Sequence, residues 1–179
     1  MGSFYDHSQT LVELIQQNKF ERVAEIGVWK GKTARYILRS EVPSLKIYFG
    51  IDQYKVLDKK HGHMALLTQE DWVAKYLREC LDMYYFDRFR IIRANSVEAS
   101  KLFPDRYFDL VFIDGSHFAE DVETDSKTWL PKVRVGGLLT GHDYGSRRHI
   151  EVKPTIDKIF GENIKLLKGL VWVYEIKTA

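Results

Sequence analysis

The sequence predicts an α/β fold: a mostly parallel sheet with helices on both faces and an antiparallel C-terminal hairpin. Three observations predict it. Short apolar runs alternate with longer amphipathic ones, each short run ends next to a polar or acidic residue, and the tail holds two strand-like runs in succession.

The chain has 179 residues and opens with an amphipathic helix over 10–20, where Leu11, Leu14, Ile15 and Phe20 recur near helical spacing. Strand-length runs rich in β-branched and aromatic residues follow at 21–27, 46–52, 89–94, 107–114 and 136–141. Helices are expected at 32–40, 69–83, 96–102 and 117–130; in the last, Phe118, Val122 and Trp129 share a face and Pro131 follows the end. Repeating strand, helix, strand makes parallel strands joined by crossovers. Residues 156–160 close a further helix, and the runs 163–168 and 170–177, joined at Lys168-Gly169, read as a hairpin giving the sheet an antiparallel edge strand. The stretch 53–67 has no clear apolar period and is the segment expected to move. With no repeat or second domain marked, residues 1–179 are read as one domain, made of an N-terminal helix (1–20), a core (21–145) and a helix with hairpin (146–179).

Composition narrows the function classes. At 45% hydrophobic and 29% charged residues the chain can fill one core. Lys plus Arg at 27 against Asp plus Glu at 25 gives +2, too little surplus for a dedicated nucleic-acid binder. The single cysteine, Cys80, forms no intramolecular disulfide and reads as a buried helical position. No apolar run reaches the roughly 18 residues of a membrane span. The start Met-Gly-Ser-Phe-Tyr-Asp-His lacks a signal-peptide pattern, so a soluble cytoplasmic protein is expected.

In an open parallel sheet, ligands bind outside the carboxyl ends of the strands. The chain places there Glu25 before Gly27, then Asp52, Asn95-Ser96, Asp114 and His142-Asp143. Each alone is also a good cap or turn residue; five in succession favour one crevice. The loop from Glu25 to Thr33 puts Gly27 and Gly31 between a strand and a helix. Such a loop lets a ligand approach the backbone and offers helix N–H groups to a carboxylate or phosphate, although it also serves as a plain tight turn. It matches neither the dinucleotide fingerprint nor the phosphate loop. Asp52 stands where an acid accepts hydrogen bonds from two ribose hydroxyls, and a ribose without a pyrophosphate site points to a nucleoside cofactor.

Taken together, Glu-Ile-Gly-x-x-x-Gly-x-Thr from Glu25, the acid at Asp52, Phe-Asp-Leu-Val-Phe-Ile-Asp-Gly-Ser-His ending at His117, and Gly-Gly-Leu-Leu-Thr-Gly-His-Asp-Tyr ending at Tyr144 form a joint pattern. It resembles the class I S-adenosylmethionine-dependent methyltransferases, more narrowly their small stand-alone group with D-G-x-H and H-D-Y elements, over about residues 21–145. The resemblance implies a Rossmann-like seven-stranded sheet with a reversed last strand, and makes 21–145 a cofactor-binding core. It implies that Glu25, Gly27 and Gly31 surround the methionine part of S-adenosylmethionine, with Thr33 near its carboxylate. Asp52 then holds the ribose hydroxyls, Gln53 or Tyr54 lies against the adenine, Asn95 and Ser96 sit at the adenine edge, and Asp114 faces the reacting methyl. One departure is Val28-Trp29-Lys30 in place of a second glycine; Trp29 either covers the cofactor or packs on the sheet.

Methyl transfer needs mainly alignment of the acceptor behind the methyl carbon. A hydroxyl acceptor must also lose its proton, and Asp114, His117, His142 and Asp143 are the candidate groups, with Asp114, His117 and Asp143 taken as catalytic. His117 equally reads as the first residue of the helix at 117–130. Acids at these two strand ends also resemble the divalent-metal site of some small-molecule O-methyltransferases. Asp114, His142 and Asp143 would then hold Mg²⁺ or Mn²⁺, with His142 and Tyr144 flanking Asp143 as a departure from that site. His61 and His63 read as a solvated loop. The expected activity is methyl transfer to an oxygen of a small molecule or sugar, with no membrane partner. The rivals are a noncatalytic S-adenosylhomocysteine- or nucleoside-binding module, a nicotinamide-dependent oxidoreductase, and a nucleic-acid methyltransferase using Lys30, Lys32 and Ser146-Arg147-Arg148-His149.

Overall fold

The computed structural model describes residues 6–54 and 87–177. The helix expected over 69–83, Cys80, His61, His63 and the segment from 55 to 67 lie outside the described residues. Among the described residues there are seven strands: Arg22–Ile26 (β1), Ile47–Asp52 (β2), Phe89–Arg93 (β3), Phe108–Ile113 (β4), Val133–Gly141 (β5), Ile164–Leu167 (β6) and Val171–Glu175 (β7). They form one sheet of order β3-β2-β1-β4-β5-β7-β6. β1 to β5 pair in parallel, while β7 is antiparallel to both β5 and β6.

The reversed strand is therefore not the edge. β7 is inserted between β5 and β6, and β6, reversed twice, runs with the body of the sheet. Side-chain character explains the order: Val171, Trp172 and Val173 are buried, whereas β6 keeps Lys165 and Leu166 exposed. The more apolar strand takes the covered place and the lysine-bearing strand blunts the edge.

Helices Asp6–Asn18 (α1) and Lys32–Arg39 (α2) cover one face, burying Leu11, Ile15, Ile37 and Leu38 against Val23, Leu110 and Phe112. Helices Ser96–Ser100 (α3), Ala119–Trp129 (α4) and Val152–Phe160 (α5) cover the other, where Ala99, Val122, Trp129 and Ile156 meet Ala24, Val111 and Leu139. All six residues of β4 are buried, so this strand is packed on both sides. Each large apolar side chain so buried contributes about 1.5–3 kcal/mol. Trp129 is fully buried and donates its indole N–H to Ser96 Oγ at 2.8 Å, tying α4 to α3.

Three element starts lie two or more residues from the sequence expectation. α1 begins at Asp6 rather than at residue 10, and β5 begins at Val133 rather than 136. The β4–β5 register shifts between Phe108 and Leu110, and Gly136 there adopts φ 73°, so a local irregularity concealed the start of β5. The helix expected from 117 begins at Ala119, with Phe118 as its cap, so His117 belongs to the preceding loop.

Candidate functional site

The carboxyl edge of the sheet collects polar groups from β1, β2, β4 and β5. Glu25 in β1 is 1% exposed. Its Oε2 accepts from the Tyr48 hydroxyl at 3.0 Å, and Thr33 at the start of α2 donates to the same carboxylate. His7 Nε2 shares a hydrogen bond of 3.0 Å with Thr33 Oγ1, so a chain runs from α1 through α2 to β1. Burial pushes the Glu25 carboxyl well above its ordinary range; the Asp114 charge adds to this, while the Tyr48 bond opposes it.

Gly27 sits at φ 91°, and a Cβ there would lie 2.4 Å from the Asp114 carbonyl oxygen and 2.5 Å from Gly115 Cα. Glycine is required because the chain leaving β4 passes against the loop leaving β1. Asp52, ending β2, organises two loops: Oδ2 accepts the Trp29 N–H at 2.8 Å and Oδ1 the Tyr54 N–H at 2.7 Å. Both donors are left-handed, at φ 43° and 44°, conformations that cost a non-glycine residue about 1 kcal/mol or more. Burial raises the Asp52 carboxyl above its ordinary value, against the lowering effect of those backbone bonds. Trp29 packs beside Val28 and the buried Tyr54, and the Lys30 ammonium lies over its ring at 4.5 Å. Gln53 is half-buried just past β2. Asn95 caps α3, its Oδ1 accepting the Val97 N–H at 2.9 Å, and Ser96 faces Trp129 and Asp125.

The parallel register Ile113↔Gly141 sets the exits of β4 and β5 side by side, and the His142 N–H donates to the Ile113 carbonyl at 3.1 Å. His142 Nδ1 is 3.3 Å from Asp114 Oδ1 and 3.5 Å from Asp143 Oδ2. His117 Nε2 approaches Asp143 Oδ2 at 2.9 Å, and His149 Nε2 lies 3.8 Å from the same oxygen. The His117 and His149 rings stack with centroids 3.7 Å apart. Asp143 takes φ 60°, a conformation aspartate tolerates better than most residues. Burial raises the Asp143 carboxyl, but the His117 hydrogen bond and the surrounding imidazoles outweigh it, and the net shift is downward. Burial disfavours charge on His142, yet Asp114 and Asp143 bring its pKa above the ordinary value. For His149, burial and the His117 charge give a lowered pKa. Asp114, His117, Val122, His142, Val152 and Trp172 line a small pocket.

The structure thus brings together Asp114, His117, His142 and Asp143, and separately Glu25 with Thr33. It adds three residues that the strand-end reading passed over: His7, Tyr48 and, as a member of this cluster, His149. His7 precedes Leu11 and Ile15 at four-residue intervals, the signal that would have put it on the buried face of α1. Its ring lies 4.4 Å from that of His142 and stacks on Phe112 at 6.2 Å. Arg147 and Arg148 are exposed.

A doubly wound sheet of this order, with polar groups at successive strand ends, defines the class I methyltransferase fold. The chain belongs to the methyltransferase domain family, whose model matches residues 24–144. It is 35% identical over 60 residues to the uncharacterized protein y4gI of Sinorhizobium fredii, a match spanning 34% of this chain and 7% of that protein. Among solved structures, a protein from Corynebacterium glutamicum is similar at TM-score 0.66 and 19% identity, over 97% of this chain and 81% of that one. An O-methyltransferase from Bacillus cereus in complex with S-adenosylhomocysteine is similar at TM-score 0.63 and 14% identity, over 93% and 79%. A spermidine synthase from Thermotoga maritima is similar at TM-score 0.57 and 16% identity, over 95% and 58%. These likenesses concern the fold, which such differently named proteins share. Among the described residues, no helix is long and apolar enough to cross a membrane.

Proposed function

We propose that the chain transfers the methyl group of S-adenosylmethionine to an oxygen of a small molecule or sugar. The observation that carries this is the convergence of Asp114, His117, His142 and Asp143 at the adjacent exits of β4 and β5, on the same edge as the Gly27–Gly31 loop and Asp52. The Bacillus cereus O-methyltransferase, which has this fold and is in complex with S-adenosylhomocysteine, supports the choice of cofactor.

In this reading Glu25, Gly27, Gly31 and Thr33 surround the amino-acid part of the cofactor, Thr33 and the N-terminus of α2 meeting its carboxylate. The Asp52 carboxylate, which already accepts the Tyr54, Trp29 and Val28 N–H groups, keeps one acceptor site for a ribose hydroxyl. Gln53, Asn95 and Ser96 border the adenine, and Asp114 stands beside the methyl group. The sulfonium is already electrophilic, so the residues chiefly align the acceptor and receive its proton. His117, oriented by Asp143 at 2.9 Å, is the base where no cation is bound. The two carboxylates and one imidazole of Asp114, His142 and Asp143 have donor chemistry that fits Mg²⁺ or Mn²⁺. Such an ion, when bound, lowers the acceptor hydroxyl's pKa.

Calorimetry tests the cofactor. S-adenosylhomocysteine should bind and NAD should not, and Asp52→Ala should weaken binding by about 1–3 kcal/mol by leaving ribose hydroxyls unpaired. Heat from NAD with none from S-adenosylhomocysteine would overturn the proposal.

A further inference from the structure

We propose that His117, Asp143 and His149 form a binding site for a first-row transition-metal dication of the Fe²⁺ to Zn²⁺ series. The first reason is an unexplained orientation. His117 Nε2 is 2.9 Å from Asp143 Oδ2, and a second imidazole, His149, stacks on its ring and places Nε2 3.8 Å from the same oxygen. That distance is too long for a hydrogen bond. It lies within the spacing of two ligands of one ion, since with bonds of about 2.0–2.2 Å ligand atoms at angles of about 90–130° stand about 2.8–4.0 Å apart; the stacked rings, inclined at 20°, turn apart to bring both lone pairs to the ion. Both observed separations from the Asp143 oxygen fall in that interval, and all three donor atoms lie within 4.8 Å of one another.

The second reason is support from the surrounding loops. His117 lies between β4 and α4, and His149 lies between β5 and α5. Glu151 Oε2 accepts the Ala119 N–H at 2.8 Å, fastening these loops together two residues beyond each histidine. Ser146 Oγ accepts the His149 N–H at 3.4 Å. Both imidazole side chains are about one-third exposed, at 34% and 33%, against 11% for Asp143, so coordination positions remain open on the solvent side.

The third reason is donor softness. Two imidazoles and one carboxylate favour later first-row dications, whereas Mg²⁺ prefers oxygen ligands and retained waters. This trio shares Asp143 with the Asp114, His142 and Asp143 set, so the identity of the ion decides which set holds it. Resting on the methyl-transfer reading, one consequence follows: with His117 committed to the ion, the cation and not the imidazole activates the acceptor hydroxyl.

The test uses the full chain stripped by chelator and titrated with Co²⁺, followed by its visible d–d absorption. About one equivalent should bind, Zn²⁺ should displace it, and millimolar Mg²⁺ should not. His149→Gln and His117→Gln should each weaken Co²⁺ binding at least about tenfold, while Asp114→Asn changes it less than about threefold. Circular dichroism and thermal melting check that each variant is folded, and the His149 and Asp114 variants are judged only against each other when both are. Absence of a Co²⁺ band overturns the proposal. So does binding lost in Asp114→Asn and kept in His149→Gln, which assigns the ion to the other set. S-adenosylhomocysteine calorimetry on the metal-free chain reads the methyl-transfer reading separately.

Discussion

Glu25 shows how a strand-end acid behaves once it is enclosed. Its buried carboxyl is held by Tyr48 and Thr33, and its pKa is raised by burial and by Asp114. A raised folded-state pKa makes the protonated form the stabilising one. That contribution is full below the unfolded value of about 4.3 and is lost as pH rises through the folded value. Glu25→Gln keeps an acceptor oxygen without the ionisation, so urea unfolding should show its stability relative to the parent increasing from pH 4 to pH 8. A difference that stays constant across that range would show that the carboxyl ionises in the fold no differently from an exposed one. The sequence marked Glu25 by its place before Gly27, but Tyr48 and His7 are distant in sequence and enter only when β2 and α1 pack beside β1. Gly27 was expected to admit a ligand; its observed necessity is the Asp114 and Gly115 backbone pressed against it.

Among the elements, β1 depends on an acid that its own sequence does not contain. Asp109 in β4 accepts the N–H groups of Glu21 and Arg22 through Oδ2, at 2.9 and 2.8 Å, and pairs with Arg134 of β5 through Oδ1. Burial raises its carboxyl, yet the Arg134 hydrogen bond and the two backbone donors prevail and the pKa is lowered. A lowered folded-state pKa stabilises above the unfolded value of about 3.9, and that stability is lost as pH falls through the folded value. Asp109→Asn should therefore destabilise by about 1–3 kcal/mol at neutral pH, the gap narrowing in acid; denaturant melts at both pH values measure it. An equal loss at both would reduce the role of Asp109 to shape. Strands β1 to β4 were legible to within a residue because their apolar runs are bounded by charged or turn residues. The start of β5 was hidden by Gly136-Gly137, and the placement of β7 inside the sheet depended on a comparison of side-chain burial that a hairpin signal does not make.

At the scale of the whole sheet, the strand order puts β1, β4 and β5 between paired neighbours, while among the described residues β6 has a partner on one side. Hydrogen exchange should be slowest in β4, which is buried throughout, and faster in β6; equal protection would mean the sheet opens only as a unit. The parallel body and the gathering of polar groups along its carboxyl edge were legible because alternation of strand and helix constrains topology strongly. The imidazole cluster was not, since His117 and His149 meet only through the stacking of two loops. The reversal of β7 also decides which of its ends lies at the carboxyl edge of the sheet. Running against its neighbours, β7 brings its first residues, not its last, to the edge where Gly141 faces Trp172. The turn before it touches both α1, through Thr10 Oγ1 on the Lys168 carbonyl at 3.1 Å, and the β5 exit, through the Tyr144 N–H on the Leu170 carbonyl at 3.1 Å. The far end of β7 instead meets Gly136 and Gly137, at the opposite margin of the sheet. A reporter or a surface tether joined after Ile176 would depart from that margin and leave the mouth of the crevice unobstructed, whereas the same cargo on α1 would stand beside His7.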